Sequence, residues 1–414
     1  MTNQELFSRL KQIECPDSSY SPDHPLIFHK AQGSYIWDVE GNKYLDLCAG
    51  FGVVALGHNP EVYHDIWRTY LNDRPPIMHA MGDVYPSKDK IDLLEKLKFL
   101  LPAHLSHGAL ALSGGQAVEL GLKTALVATK KSGVICFKDC YHGLDFGALN
   151  LTYRQDFKAP FKGWLNDSLV SYCDFSDDIT LLQQQFESTI KHHKKQGHGT
   201  AVAIVEPIQG RAGIKLNSLE WFKALRELCN QHQVLLMYDE VFTGLGRTGS
   251  ISFAEHVPSD ISCFGKALGG GLPLSACFAT EKVMKSWPQN TGEALHTGTF
   301  FGHPLSCQLG LVFLDQLEKQ KLCERSSQLG EKFKNALKET LTGHIKDVRG
   351  QGLMISIELL NHGDGAKLMD SLRDQGVIAL AAGPNGESLS LTPALNIEAD
   401  TLLDVAGLIH KIIT

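Results

Sequence analysis

Val234-Leu-Leu-Met-Tyr-Asp-Glu-Val-Phe-Thr-Gly-Leu-Gly-Arg-Thr-Gly249, followed after a short connection by Ser262-Cys-Phe-Gly-Lys-Ala-Leu-Gly-Gly-Gly271, sets the architecture. Residues 234–238 are apolar throughout and read as a strand buried on both faces, ending on the acids Asp239 and Glu240. A second apolar run, 261–264, is followed by Lys266 and three glycines. An acid at one strand end and a lysine just past the next project into one crevice at the carboxyl edge of a parallel sheet. That edge is a place for chemistry.

The flanking sequence repeats the pattern. Residues 109–112, 133–137, 201–205 and 276–279 are short apolar strands. Between them, 116–130 is helical, with Val118, Leu122, Ala125 and Leu126 on one face, and 218–232 is helical again. This rhythm predicts a mostly parallel sheet covered on both sides, an α/β fold. Upstream, 33–41 reads as a hairpin with its loop at 38–42, and a helical period from about residue 87 stops at Pro102. After Pro304 the texture changes: helices at 304–319 and 323–341, an alternating strand at 352–360, a helix near 365–375, strands near 377–381 and 388–391, and a final helix from 400. The expected organisation is residues 1–48 joining a small C-terminal α+β domain, 304–414, with a large α/β domain at 49–303 between them.

Composition narrows the class. The 414 residues are 43% hydrophobic and 21% charged, with a net charge of −7, so neither nucleic acid nor an anionic membrane is an expected partner. No apolar run approaches the ~20 residues of a spanning helix. The first residues are polar and amphipathic, unlike a secretory signal. Ten cysteines lie scattered without C-x-x-C pairs, several in apolar strands, which suits reduced thiols and a cytoplasmic location. The His-rich run Lys191-His-His-Lys-Lys-Gln-Gly-His198 lacks a cysteine or acid to complete a metal site and is expected to be a solvated helix end; no metal is expected.

Several residues carry possible chemistry, each with a plainer reading beside it. Ser113-Gly-Gly-Gln116 opens a helix directly after a strand, so Ser113 and Gln116 fit a capping box and the amides of Gly114 and Gly115 suit a phosphate; a simple cap is the alternative. Lys266, pinned between a strand and glycines, is placed for desolvation, which lowers its pKa and makes it a nucleophile for a carbonyl; otherwise it is a surface lysine. Asp239 either steadies a turn or holds a proton on a ring nitrogen. Tyr141 and His142 offer an aromatic platform or mere packing. Gly244-Leu-Gly-Arg-Thr-Gly249 matches G-x-G-x-x-G, but five residues separate it from the strand and no helix opens after it, so it is not a dinucleotide fingerprint. A phosphate cradle, an aromatic, an acid and a lysine on one rim are together what a pyridoxal phosphate site requires.

The chain here resembles the class III (ornithine/4-aminobutyrate type) aminotransferases, enzymes of fold type I. The resemblance runs through Trp37-Asp-Val-Glu-Gly41, Ser113-Gly-Gly-Gln-Ala-Val-Glu119, Tyr141-His-Gly143, Glu206-Pro-Ile-Gln-Gly210, the segments from Asp239 and Lys266, Thr299-Phe-Phe-Gly-His-Pro304, Arg349-Gly-Gln-Gly-Leu353 and Pro393-Ala-Leu-Asn396. It implies pyridoxal 5'-phosphate as cofactor and amino transfer from a primary amine or amino acid to a keto acid. Lys266 would hold the cofactor's aldehyde and shuttle a proton, Asp239 would pair with the ring nitrogen, and Tyr141 would stack on the ring beside His142. Gly114 and Gly115 would bind the phosphate, joined by Thr299 from the other subunit of a homodimer, and Glu206 would sit near the substrate. An aminomutase or epimerase of the same family is the alternative activity, and a non-catalytic member a further one.

The departures matter too. Such families usually carry a hydroxyl residue at Gly115, Glu at Gln116 and at Arg211, and often Gln at Phe242. An arginine that grips a substrate carboxylate is implied where Ser390 stands, and without it Glu206 is expected to lack a cationic partner. The expected substrate therefore presents an amine to Glu206, unless Arg211 swings in as a substitute cation.

Overall fold

The structure is a computed structural model describing residues 1–21, 23–72, 77–289 and 291–414. At the N-terminus β1 (Phe28–Gln32), β2 (Tyr35–Asp38) and β3 (Lys43–Asp46) run antiparallel in turn. Asp38 builds the β2–β3 turn, its Oδ1 accepting the amides of Glu40 and Asn42.

The central elements are β4 (His107–Ala111), β5 (Gly133–Phe137), β6 (Val170–Cys173), β7 (Thr200–Val205), a ribbon of β8 (Ile208–Gln209) and β9 (Lys215–Leu216), then β10 (Leu235–Asp239), β11 (Ile261–Phe264) and β12 (Ser275–Ala279). Seven of them form one sheet in the order β4-β12-β11-β10-β7-β5-β6. Only β12 is antiparallel, and it is so to both neighbours, which leaves β4 parallel to the rest. The carboxyl ends of β4, β11, β10, β7 and β5 therefore share one rim. This is the α/β architecture the strand rhythm predicts.

Residues along β10 alternate between two layers of core. Tyr238 packs with Phe222 and Phe253, whose ring centroids are 4.5 Å apart, under the helix Leu219–His232. Met237 faces the helix Gly114–Thr129, so close to Gly121 that a Cβ there would lie 2.5 Å from its Cε. Both faces exclude water, which is why the strand sequence is apolar without alternation.

The C-terminal strands are β13 (Asp347–Gln351), β14 (Met354–Glu358), β15 (Val377–Ile378), β16 (Leu380–Ala382) and β17 (Ser388–Leu391). They form the sheet β13-β14-β17-β16, while β15 leaves it and pairs in parallel with β3. The antiparallel strand expected at 352–360 forms as β14, the second arm of a hairpin that turns at Gly352 with φ +57°. One expectation is corrected. The strand expected near 377–381 is two, because the chain crosses between sheets at the buried Ala379.

The false fingerprint has its own role. Gly246 and Gly249 take φ +92° and +98°. A Cβ on Gly246 would lie 2.6 Å from Leu317 in the helix Pro304–Lys319. Between the two glycines the buried Arg247 donates through Nη1 to the carbonyls of Leu353 (2.8 Å) and Pro393 (2.6 Å). The loop welds the large sheet to the C-terminal unit.

The His-rich run is the mostly exposed helix end expected, with one exception. It ends the helix Ile179–Lys195, which the sequence reading did not place, and His193 is fully buried rather than solvated. Its ring meets Thr200 Oγ1 (2.9 Å) and Ser171 Oγ (3.0 Å), and burial pushes its pKa down to about 4. No group of three potential metal ligands occurs among the described residues, and no described helix is long and apolar enough to cross a membrane.

Candidate active site

The shared rim opens into a cavity of about 850 Å³, in the range of small-molecule sites. Gly114, Gly115, Tyr141, His142, Glu206, Asp239 and Lys266 all line it, each at or shortly past the carboxyl end of a strand. Thr299 does not; its carbonyl accepts from His79 Nε2 (2.9 Å).

The helix Gly114–Thr129 starts on a capping box, Ser113 Oγ accepting the Gln116 amide (3.1 Å) while Gln116 reaches back. The amides of Gly114 and Gly115, at its first two positions, have no partner within the helix and face the cavity end where its dipole is positive. The space at both glycines is taken: a Cβ at Gly114 would strike Val241 Cγ1 at 2.6 Å, and one at Gly115 would displace the Asp145 carboxylate, whose Oδ2 would lie 2.2 Å away. Ser275 Oγ donates to the Ser113 carbonyl (2.7 Å), fixing the turn to β12.

Asp239 ends β10 in register with Cys263 of β11. Its Oδ2 bonds His142 Nδ1 at 2.8 Å and its Oδ1 accepts the Val241 amide at 3.2 Å. His142 is buried behind the acid. Burial disfavours its charged form, but neighbouring Cys140 and the Asp239 carboxylate outweigh that and raise its pKa well above the usual value. Raised in this way, the imidazole is protonated and pairs as a cation with the Asp239 carboxylate, which lines the cavity wall. Glu240, the second acid of the opening stretch, points away, bonded to Ser252 Oγ and the Phe253 amide.

Lys266 takes φ +45°, a strained angle for a residue with a Cβ and a mark of functional positions. Its Nζ sits 3.5 Å from the centroid of the Phe242 ring. Burial lowers its pKa to about 8, partly offset by Asp239 and Glu206 and assisted by the charges of Arg211 and Arg247. A partly neutral amine at neutral pH is a competent nucleophile. Phe242 is itself wedged between Gly52 and Gly210, where a Cβ would come within 2.9 and 2.7 Å of the ring.

Glu206 follows β7 directly. It forms no ion pair with a cationic side chain among the described residues; instead its two oxygens accept the amides of Tyr141 (2.9 Å) and Gly210 (3.1 Å). Burial still raises its pKa to about 7. Arg211, on the β8–β9 turn, stacks its guanidinium 4.9 Å from the Tyr141 ring centroid. Sequence reading missed Asp145, which the loop after Tyr141 folds back over Gly115, and Val241, which packs on Gly114. Neither carries a local signal.

The donors fit a phosphorylated pyridine aldehyde: unpartnered helix amides for a phosphate, an acid for a ring nitrogen, and a lysine for an aldehyde. The fold and this set define a fold type I transferase dependent on pyridoxal phosphate. The aminotransferase class-III family model matches residues 18–413. The chain is 32% identical over 405 residues to the 5-aminovalerate aminotransferase DavT of Pseudomonas aeruginosa, covering 92% of this chain and 91% of that one. It is 30% identical over 429 residues to the 4-aminobutyrate aminotransferase GabT of Escherichia coli, covering 96% and 95%. An ornithine aminotransferase structure from Toxoplasma gondii with PLP at partial occupancy superposes with a TM-score of 0.85 at 26% identity, over 99% of this chain and 94% of that one. The chain belongs to the class III aminotransferases, and its cofactor is pyridoxal 5'-phosphate.

Proposed function

We propose that the seven cavity residues carry amino transfer in the roles their geometry suggests. The observation behind this is that Lys266 and Asp239 end adjacent strands and face one cavity, with the Gly114–Gly115 amides on its third side. The cofactor, when bound, supplies an aldehyde for amine exchange and a pyridine ring that draws electrons from the neighbouring carbon. Asp239, steadied by His142, would keep the ring nitrogen protonated. Lys266 Nζ would hold the aldehyde carbon until the substrate's amine displaces it, and the freed amine would then move the proton at the substrate's α-carbon. Tyr141 covers the ring, and Glu206, titrating near 7, holds a proton close to the reacting amine.

Lys266→Ala in the holoenzyme tests the assignment. Turnover of amines is expected to fall to background, and borohydride should no longer fix the cofactor to the chain while the fold persists. Turnover that survives would remove Lys266 from its role. A keto acid should be required for repeated turnover; turnover without one would favour the mutase or epimerase.

The enzyme is proposed to work as a homodimer in which Thr299 of a second copy completes the phosphate site. Support comes from the exposed Met78, Met81, Tyr85 and Phe300 around it. A sedimentation mass of one chain would exclude this. Residues 1–48 and 304–414 are proposed to act as one unit, supported by the β3–β15 pairing, and limited proteolysis separating them would count against it. A cytoplasmic location is also proposed. All ten cysteines are unpaired, and eight are buried, which suits a reducing compartment; fractionation would test it.

A further inference from the structure

Three positive side chains lie on or near the aromatic wall of the cavity, and only one is unspent. Arg154 stacks on Phe157 but is paired with Asp156, and Lys266 is committed to the carbonyl chemistry proposed above. Arg211 stacks on Tyr141 and Phe157, at 4.9 and 5.7 Å, and makes no ion pair with any described carboxylate. Its backbone is fixed, because its carbonyl accepts the Gly383 amide (3.1 Å). The side chain is exposed at the cavity mouth rather than folded away. It is near enough for its charge to help depress the Lys266 pKa.

Resting on the proposed amino transfer, we infer that Arg211 is the specificity-determining residue that binds a substrate carboxylate, so that at least one substrate of this enzyme is an amino or keto acid carrying its carboxylate toward the Tyr141 wall. A carboxylate cannot enter a largely apolar cavity without a positive partner, and the desolvation it suffers there is repaid only by close hydrogen-bonded pairing. A guanidinium held beside these rings, with no side-chain hydrogen bond to a described residue, keeps its N–H donors free, and their fork matches two carboxylate oxygens at once. Glu206 makes the complementary point. Both of its oxygens already accept backbone amides, so it does not neutralise Arg211 and does not need it. The substitute cation is in place without swinging.

The test compares the holoenzyme with Arg211→Met and Arg211→Lys, using 4-aminobutyrate and butylamine, which differ by one carboxylate. In the first half-reaction, followed by the cofactor spectrum, Arg211→Met is expected to raise the half-saturating 4-aminobutyrate concentration at least tenfold and leave butylamine within twofold. Arg211→Lys should recover part of the loss. In parallel, calorimetry of acetate, pyruvate and butyrate binding should show at least one monocarboxylate binding tenfold more weakly to Arg211→Met. Equal losses for both amines, or monocarboxylates binding the wild type no better than Arg211→Met, overturn the inference. If the wild type exchanges neither amine, these two are not its donors, and the calorimetry alone decides the role of Arg211 because it needs no covalent step.

Discussion

At the scale of single residues, the site is a set of charges placed by strand ends, and one of them opposes the cofactor. Asp145 Oδ2 lies 2.2 Å from where a Gly115 Cβ would be and accepts from Ser113 Oγ at 3.3 Å. A phosphate on the Gly114 and Gly115 amides would meet this carboxylate as a like charge. Such a pair at a partly solvated site costs on the order of 1 kcal/mol, or about fivefold in affinity. Asp145→Asn is therefore expected to tighten pyridoxal phosphate binding to the cofactor-free protein several-fold, as measured by fluorescence titration. Unchanged or weaker binding would mean the carboxylate turns away when the phosphate arrives. Asp239 and Lys266 were legible from sequence because each sits immediately past an apolar run, where a parallel strand delivers a side chain to the rim. Asp145 and Val241 were not, since their places depend on loops folding back across space. His193 misled for a related reason: a charged, His-rich segment hides the one position that the helix turns inward.

At the scale of elements, hydrophobic pattern predicted strands and helices well where length separated them, as with β5, β11, β17 and the helix Pro304–Lys319. Direction was another matter. β12 is as uniformly buried as the parallel strands β5, β7 and β11, and nothing in an all-apolar run reports which way it points. The glycine-rich loops carried the most misleading signal, because close packing and phosphate binding both demand a missing Cβ. Gly330, inside the helix Leu322–Thr340, shows the packing use: a Cβ there would come within 1.9 Å of the Gly352 carbonyl oxygen. The obstacle is backbone in the β13–β14 turn, so it cannot swing aside. Gly330→Ala should destabilise the protein by about 1–3 kcal/mol despite the better helix propensity of alanine. Denaturant unfolding would show this as a lower midpoint, and a raised midpoint would mean the helix and turn separate easily.

At the scale of the whole molecule, burying ionisable groups on the sheet's rim links folding stability to pH. Glu206 and Glu240 both have pKa values raised to about 7, mainly by burial, against an ordinary 4.5. Between those values the folded protein holds protons that the unfolded chain has released, so stability falls as pH rises through that window. Lys266 runs the other way. Lowered to about 8 from 10.5, it has released its proton where the unfolded chain still binds one, so stability rises as pH goes from about 8 to 10.5. His193, lowered to about 4, adds a rising contribution between about 4 and 6.5 that partly masks the carboxylates. Wild type and single variants must therefore be compared at each pH. For the cofactor-free protein, Glu240→Gln removes one group from the falling limb and leaves the catalytic cavity untouched, since Glu240 faces Ser252 and Phe253. Its unfolding midpoint relative to wild type should improve from pH 5 to about pH 7 and then level off, while Lys266→Met should improve most below pH 8 and lose its advantage by pH 10.5. A difference between wild type and Glu240→Gln that stays constant over pH 5–8 would show that Glu240 is ionised throughout and that its two hydrogen bonds outweigh its burial.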